Sequence, residues 1–152
     1  MQDDGWLRAF RRYLGATVLA NLVWEFAQMP LYTVWQAPWA EIAFAGLHCL
    51  GGDVLIASAS IWAALIVLKA ERWPEMRFRR VAAVTMTVGL GYTAFSEWLN
   101  VSVRQSWAYS DLMPTVTPLE IGVSPLVQWI VVPALALFIA RPSHRTKGAS
   151  LK

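Results

Sequence analysis

Glu25 and Glu97 each stand inside a long apolar run, and Asp53 interrupts a third. An ionisable side chain in hydrocarbon is costly unless it has partners, so each marks a candidate functional position. The company these acids keep is polar and helically spaced. Asn21, Glu25, Gln28 and Tyr32 step by four, three and four, and Thr93, Glu97 and Asn100 by four and three. Such steps place each set on one helix face. Cys49 shares a face with Asp53, and Ser124 with Gln128. Burial disfavours a charged carboxylate and so suits a proton donor. Glu97 and Glu25 are therefore expected to be paired acids sharing a proton, with Glu97 as donor. Asn100, Gln28 and Gln128 would hold a water or fix the protonation state. Tyr32, His48 and Asp53 are further candidate contacts, and Trp107 and Tyr109 would shape the approach. Protonating an alkene makes a cation, which a carboxylate, aromatic faces and amide oxygens can stabilise. The plain alternative is that the carboxyls, hydrogen-bonded to Gln28 and Asn100, merely tie helices together.

Other chemistries find less support. His48 with Asp53, Glu25 and Glu97 has the residue types for zinc or iron. It is the single histidine in an apolar run, and no His-x-x-x-His or Glu-x-x-His spacing occurs, so no metal is expected. A haem held by two histidines is excluded because His144 belongs to the tail. No cofactor is expected. Nucleotide, phosphate-loop and nucleophile motifs are lacking. The lone Cys49 cannot form an internal disulfide and reads as a small packing residue.

The elements that must position these acids follow from composition. The chain has 152 residues, 57% hydrophobic and 15% charged. Mean hydropathy is +0.42. The charges are segregated, as in a multispanning membrane protein. Apolar segments run over about 13–32, 41–68, 81–101 and 121–140. Residues 141–152 form a basic tail expected to be flexible. Lys and Arg concentrate before residue 13, in 69–80 and in the tail. The 33–40 connection has none, and 102–120 only Arg104. The positive-inside rule then gives an all-α bundle of four transmembrane helices, both termini cytoplasmic, in a bacterial inner membrane. The first segment has a charged start but no small-residue cleavage site, and reads as a retained helix. The implied partners are the bilayer and a lipophilic small molecule. A homo-oligomer is compatible with this reading. A nucleic acid is not implied, because the basic residues flank apolar runs and so report topology.

Depth sharpens the picture. At about 1.5 Å rise per residue, Glu25 lies roughly 12 Å and His48 roughly 9 Å below the outer surface. Glu97, Asn100, Ser124 and Gln128 fall at a similar level, and the inner half of each helix reads as almost wholly apolar. His48 lies more than a hundred degrees from the Asp53 face of a regular helix, unless Gly51-Gly52 bends it or admits a close neighbour. Pro133 is expected to kink the last helix.

Residues 97–129 resemble the membrane carotenoid hydratases. The resemblance rests on Glu97-Trp98 closing an apolar helix, on Trp107, Tyr109 and Ser110 in the next loop, and on Gly122, Val123, Pro125, Leu126 and Trp129 at a helix start. It covers about a fifth of the chain, which is much shorter than that family's members and has Asn100 in place of a glycine. The resemblance implies acid-catalysed addition of water to an isoprenoid or carotenoid-like substrate, a hydratase- or isomerase-type lyase activity, with Glu97 as acid and Tyr109 in the pocket. Two other classes stand beside it. One is a non-catalytic membrane subunit, or a pigment- or lipophile-binding protein. The other is a proton-coupled transporter, which would need polar residues continuing inward past Asn21.

Overall fold

A computed structural model describes residues 4–141. The tail expected at 141–152, His144 included, therefore lies outside the described residues apart from Arg141. The chain is mostly helical. Its four long helices are α1 (Asp4–Gln28), α2 (Trp39–Val67), α3 (Phe78–Glu97) and α4 (Val123–Ala140). α1 packs against α2 and α4, and α3 packs against the same two, so the helices close into a ring. Among the described residues, α2 and α4 are long and apolar enough to cross a membrane. α1 and α3 are less apolar because they carry arginines at one end and polar residues on the buried face.

That face follows one step. Tyr13, Thr17, Asn21, Glu25 and Gln28 are the buried residues of α1 after Ala9, and Val81, Thr85, Gly89, Thr93 and Glu97 those of α3. A four-residue step keeps side chains on one helix side. The opposite faces are apolar and exposed on every helix: Leu19 and Val23, Phe44 and Leu55, Val88 and Phe95, Ile130 and Phe138. The core mixes small side chains, Ala57, Ala64 and Ala136 among them, with Ile61 and Val81 and the large rings of Tyr13, Trp73 and Trp129. Close approach is tightest at Gly89, where a Cβ would overlap the Trp129 ring, and at Gly46, which sits 3.1 Å from the Phe26 ring by the same construction. The close contact expected at Gly51-Gly52 is not there. A Cβ on either would meet nothing within 4 Å, and α2 runs unbroken through both.

Connections explain the helix ends. α2 stops where Lys69 turns left-handed at φ 48°, with Ala70 N–H reaching back to Leu65 O at 2.9 Å. This is the doubled-back bond of a helix C-cap. Arg77 donates to Leu68 O, one of the carbonyls left at that end. α1 ends earlier than the apolar segment, because Pro30 lies in a short 3-10 turn, Met29–Leu31. α3 does not stop at Glu97 but widens into a π-helical segment, Trp98–Val103. α4 passes through Pro133, whose missing N–H leaves the Trp129 carbonyl without its usual donor. A two-stranded antiparallel hairpin, β1 (Thr115–Val116) and β2 (Ile121–Gly122), leads into α4.

Candidate functional site

Gln128 on α4 is the point where three helices meet. Its side chain is buried, and Nε2 donates towards Asn21 Oδ1 at 3.0 Å, Glu25 Oε1 at 2.7 Å and Asp53 Oδ2 at 2.9 Å. A side-chain amide has two hydrogens, so three acceptors on one nitrogen exceed what it can serve at once. Two of the three are carboxyl groups. The chain holds no Lys or Arg between residues 13 and 68, 81 and 103, or 121 and 140, so the stretches forming this centre supply no cation. Gln28 closes the network. Its Nε2 donates to Glu25 Oε1 at 3.1 Å and Gln128 Oε1 at 3.3 Å, and its Oε1 accepts from Ser124 Oγ at 2.7 Å. Trp24 Nε1 donates to Ser124 Oγ at 3.3 Å, and Trp129 Nε1 to Asp53 Oδ1 at 3.3 Å.

A second group lies under the connection between α3 and α4. Tyr109 O–H donates to Glu97 Oε2 at 2.5 Å and accepts from Gly122 N–H at 2.9 Å. The distance is that of a short O–H···O bond to the carboxyl group. Burial first, then the adjacent Glu97, hold the Tyr109 phenol above its ordinary value. Trp107 Nε1 lies buried beside Glu97 without completing a hydrogen bond. Tyr32 meets Tyr109 edge to face at 5.5 Å, and their backbones form an antiparallel bridge. Thr33 N–H donates to Ala108 O, Ser110 N–H to Leu31 O, and Ser110 Oγ to Pro30 O, at 2.9 to 3.0 Å. The α1–α2 and α3–α4 connections are thus stitched together over Glu97. Gly122 gives this arrangement room: a Cβ there would lie 3.0 Å from Met113 Sδ and from the Tyr109 ring, so both side chains would have to shift slightly.

The structure brings Glu25, Gln28, Asp53 and Gln128 into one centre, and Glu97, Tyr109, Tyr32 and Trp107 into its neighbour. Glu25 and Glu97 are not hydrogen-bond partners here. Glu25 bonds Gln28 and Gln128, and the carboxyl that joins it on Gln128 is Asp53. Two expected contacts stand apart. His48 is exposed and stacks on Phe44 at 5.8 Å, because α2 stays regular and keeps it on the far side from Asp53. Asn100 donates to Ser96 O at 2.9 Å on its own helix. The π-helical turn after Glu97 changes the angular step and rotates Asn100 off the Glu97 face.

Sequence spacing passed over several residues. Trp129 serves Asp53, and no polar periodicity points to it. Tyr13 and Thr17 continue the four-residue step of α1 inward, and with Ser60 and Thr85 they are buried. The half of the interior nearer the arginine-bearing end is therefore not wholly apolar, which corrects the expectation from hydropathy. Thr17 Oγ1 and Thr85 Oγ1 complete no hydrogen bond. Among the described residues no three of His, Cys, Asp and Glu cluster as a metal site would require. Comparison with protein-family models, curated proteins and solved structures finds no match for this chain.

Proposed function

We propose that this chain is a four-span membrane protein with both termini cytoplasmic, and that its interior acids form an acid–base centre for a lipid-soluble, isoprenoid- or carotenoid-like substrate. Apolar residues exposed on all four helices support insertion, since a water-soluble monomer does not present such a continuous apolar girdle. The segregation of Lys and Arg supports the orientation.

The observation that carries the chemical reading is the meeting of Glu25 and Asp53 on a single amide nitrogen, one shell away from the Glu97–Tyr109 pair. A tie between helices needs only amides, and each added acid makes it costlier. Acids held this way are suited to keep and hand over a proton. In the proposed reaction a proton moves from Glu97, or through Tyr109, to one alkene carbon. The π pair forms the new C–H bond and leaves a cation on the neighbouring carbon. Water adds there, and its surplus proton returns to the carboxylate. The test compares lipophiles extracted from cells expressing wild type, Glu97→Gln and Tyr109→Phe with an isoprenoid substrate available. A product heavier by one water in wild type, and missing in Glu97→Gln, is expected. The same profile from all three, with normal folding, would reduce the acids to helix ties.

A second reading is favoured by the inward file of hydroxyls. Tyr13, Thr17, Ser60 and Thr85 continue from Asn21 towards the arginine-bearing end, which a proton-coupled transporter needs. Proton flux into dye-loaded liposomes, reduced in the isosteric Thr17→Val variant, would favour it over the enzyme.

A further inference from the structure

We propose a second site at the arginine-bearing end of the bundle, for the headgroup of an anionic phospholipid with free hydroxyls, of the phosphatidylglycerol type. The inference rests on membrane insertion but not on the acid–base centre. A cleft of about 420 Å³ opens there, lined by Trp6, Trp62, Leu65, Ile66, Lys69, Ala70, Glu71 and Trp73. Trp73 is buried, while Trp6 and Trp62 are exposed and meet edge to face at 6.3 Å. The volume suits a headgroup with its glycerol and is too small for whole acyl chains, so the chains must leave it along the outside.

The surroundings say where they go and which charge fits. Ile66 and Val67 are 70% and 73% exposed, so the cleft sits where the apolar flank of α2 gives way to charged chain. That boundary is where headgroups lie in a bilayer. The connection beyond exposes Lys69, Arg72, Arg77, Arg79 and Arg80 against Glu71 and Glu75, a positive balance that attracts an anion. Of these cations, Lys69 is the one in the cleft wall, held there by its left-handed turn. Glu71 lines the same cleft and repels a second negative charge. A phosphodiester on Lys69 with hydroxyls donated to Glu71 satisfies both. The indole faces take the glycerol, and Trp62 and Ile66 take the start of the acyl chains.

Native mass spectrometry of the full chain, released from nanodiscs of mixed phosphatidylglycerol, phosphatidic acid and phosphatidylcholine, tests this. Phosphatidylglycerol should be retained over both others. Lys69→Gln should lower its retention roughly fivefold, the effect of one surface cation. Arg79→Gln, outside the cleft, should lower it clearly less than Lys69→Gln does, and Glu71→Gln should let phosphatidic acid compete. Soluble glycerol phosphate should not displace the lipid, because it lacks chains for Trp62 and Ile66. Equal retention of the three lipids, equal effects of Lys69→Gln and Arg79→Gln, or displacement by glycerol phosphate would overturn the proposal. Carbonate extraction separates the failures. A chain that leaves the membrane loses the insertion reading too, whereas an inserted chain without lipid preference loses only this site.

Discussion

Tyr109 shows how much one hydroxyl holds in place. It donates to Glu97, accepts from Gly122 and closes the connection between α3 and α4. Tyr109→Phe should cost about 1–3 kcal/mol, the range for leaving a buried hydrogen-bond partner unsatisfied, in unfolding titrations of the reconstituted protein. The pH dependence has a definite sign. A phenol held above its ordinary value favours the protonated, folded form. Its contribution is complete below the unfolded value of about 10 and is lost as pH rises through the higher folded value. Wild type should therefore lose stability relative to Tyr109→Phe above about pH 10 and not below it. Gln128 sets the complementary case. Gln128→Leu removes the donor shared by Asn21, Glu25 and Asp53, and should cost about 1–3 kcal/mol, the penalty for buried acceptors left unsatisfied. The same unfolding titration reads it.

Elements decide which of the expected residues meet. The four-residue step of α1 was legible in the sequence, and it places Glu25 and Gln28 where periodicity puts them. The partner of Glu25 was not legible, because helix spacing says nothing about which neighbour faces it. Packing at Gly89 settles the α3–α4 contact by seating Trp129, whose indole then reaches Asp53. Asn100 was misplaced for a local reason: a regular period cannot foresee a π-helical turn. The glycine contacts give a test at this scale. Gly122→Ala should push Tyr109 and Met113 aside and cost about 1–3 kcal/mol, while Gly51→Ala, with open space around it, should be neutral or mildly stabilising. Thermal unfolding of the two variants side by side should separate them, and Gly122→Ala should approach Tyr109→Phe in stability.

The whole molecule is a mostly helical bundle in which α2 and α4 are long and apolar enough to cross a membrane. Hydropathy and charge segregation made the four helices legible, though two of them are apolar enough by themselves to qualify as spans. On the proposed insertion the hydrophobic drive between helices vanishes, and packing of small residues and buried hydrogen bonds such as those of Gln128 would hold the ring. Topology is testable directly. With Cys49 replaced by alanine, a cysteine at Leu112 should react with a membrane-impermeant thiol reagent from the outside. One at Arg72 should react only after permeabilisation.

The central claim is that Glu25 and Asp53 meet on Gln128 Nε2 inside an apolar bundle, and two carboxyl groups sharing one site predict a proton bound at that centre. Infrared difference spectra of the protein in bilayers at neutral pH read this most directly, through the carbonyl stretch of a protonated carboxyl group. Wild type should show that band, and Asp53→Asn and Glu25→Gln should each remove or shift it. A wild-type spectrum with only ionised carboxylates, or a band that ignores both substitutions, would contradict the account.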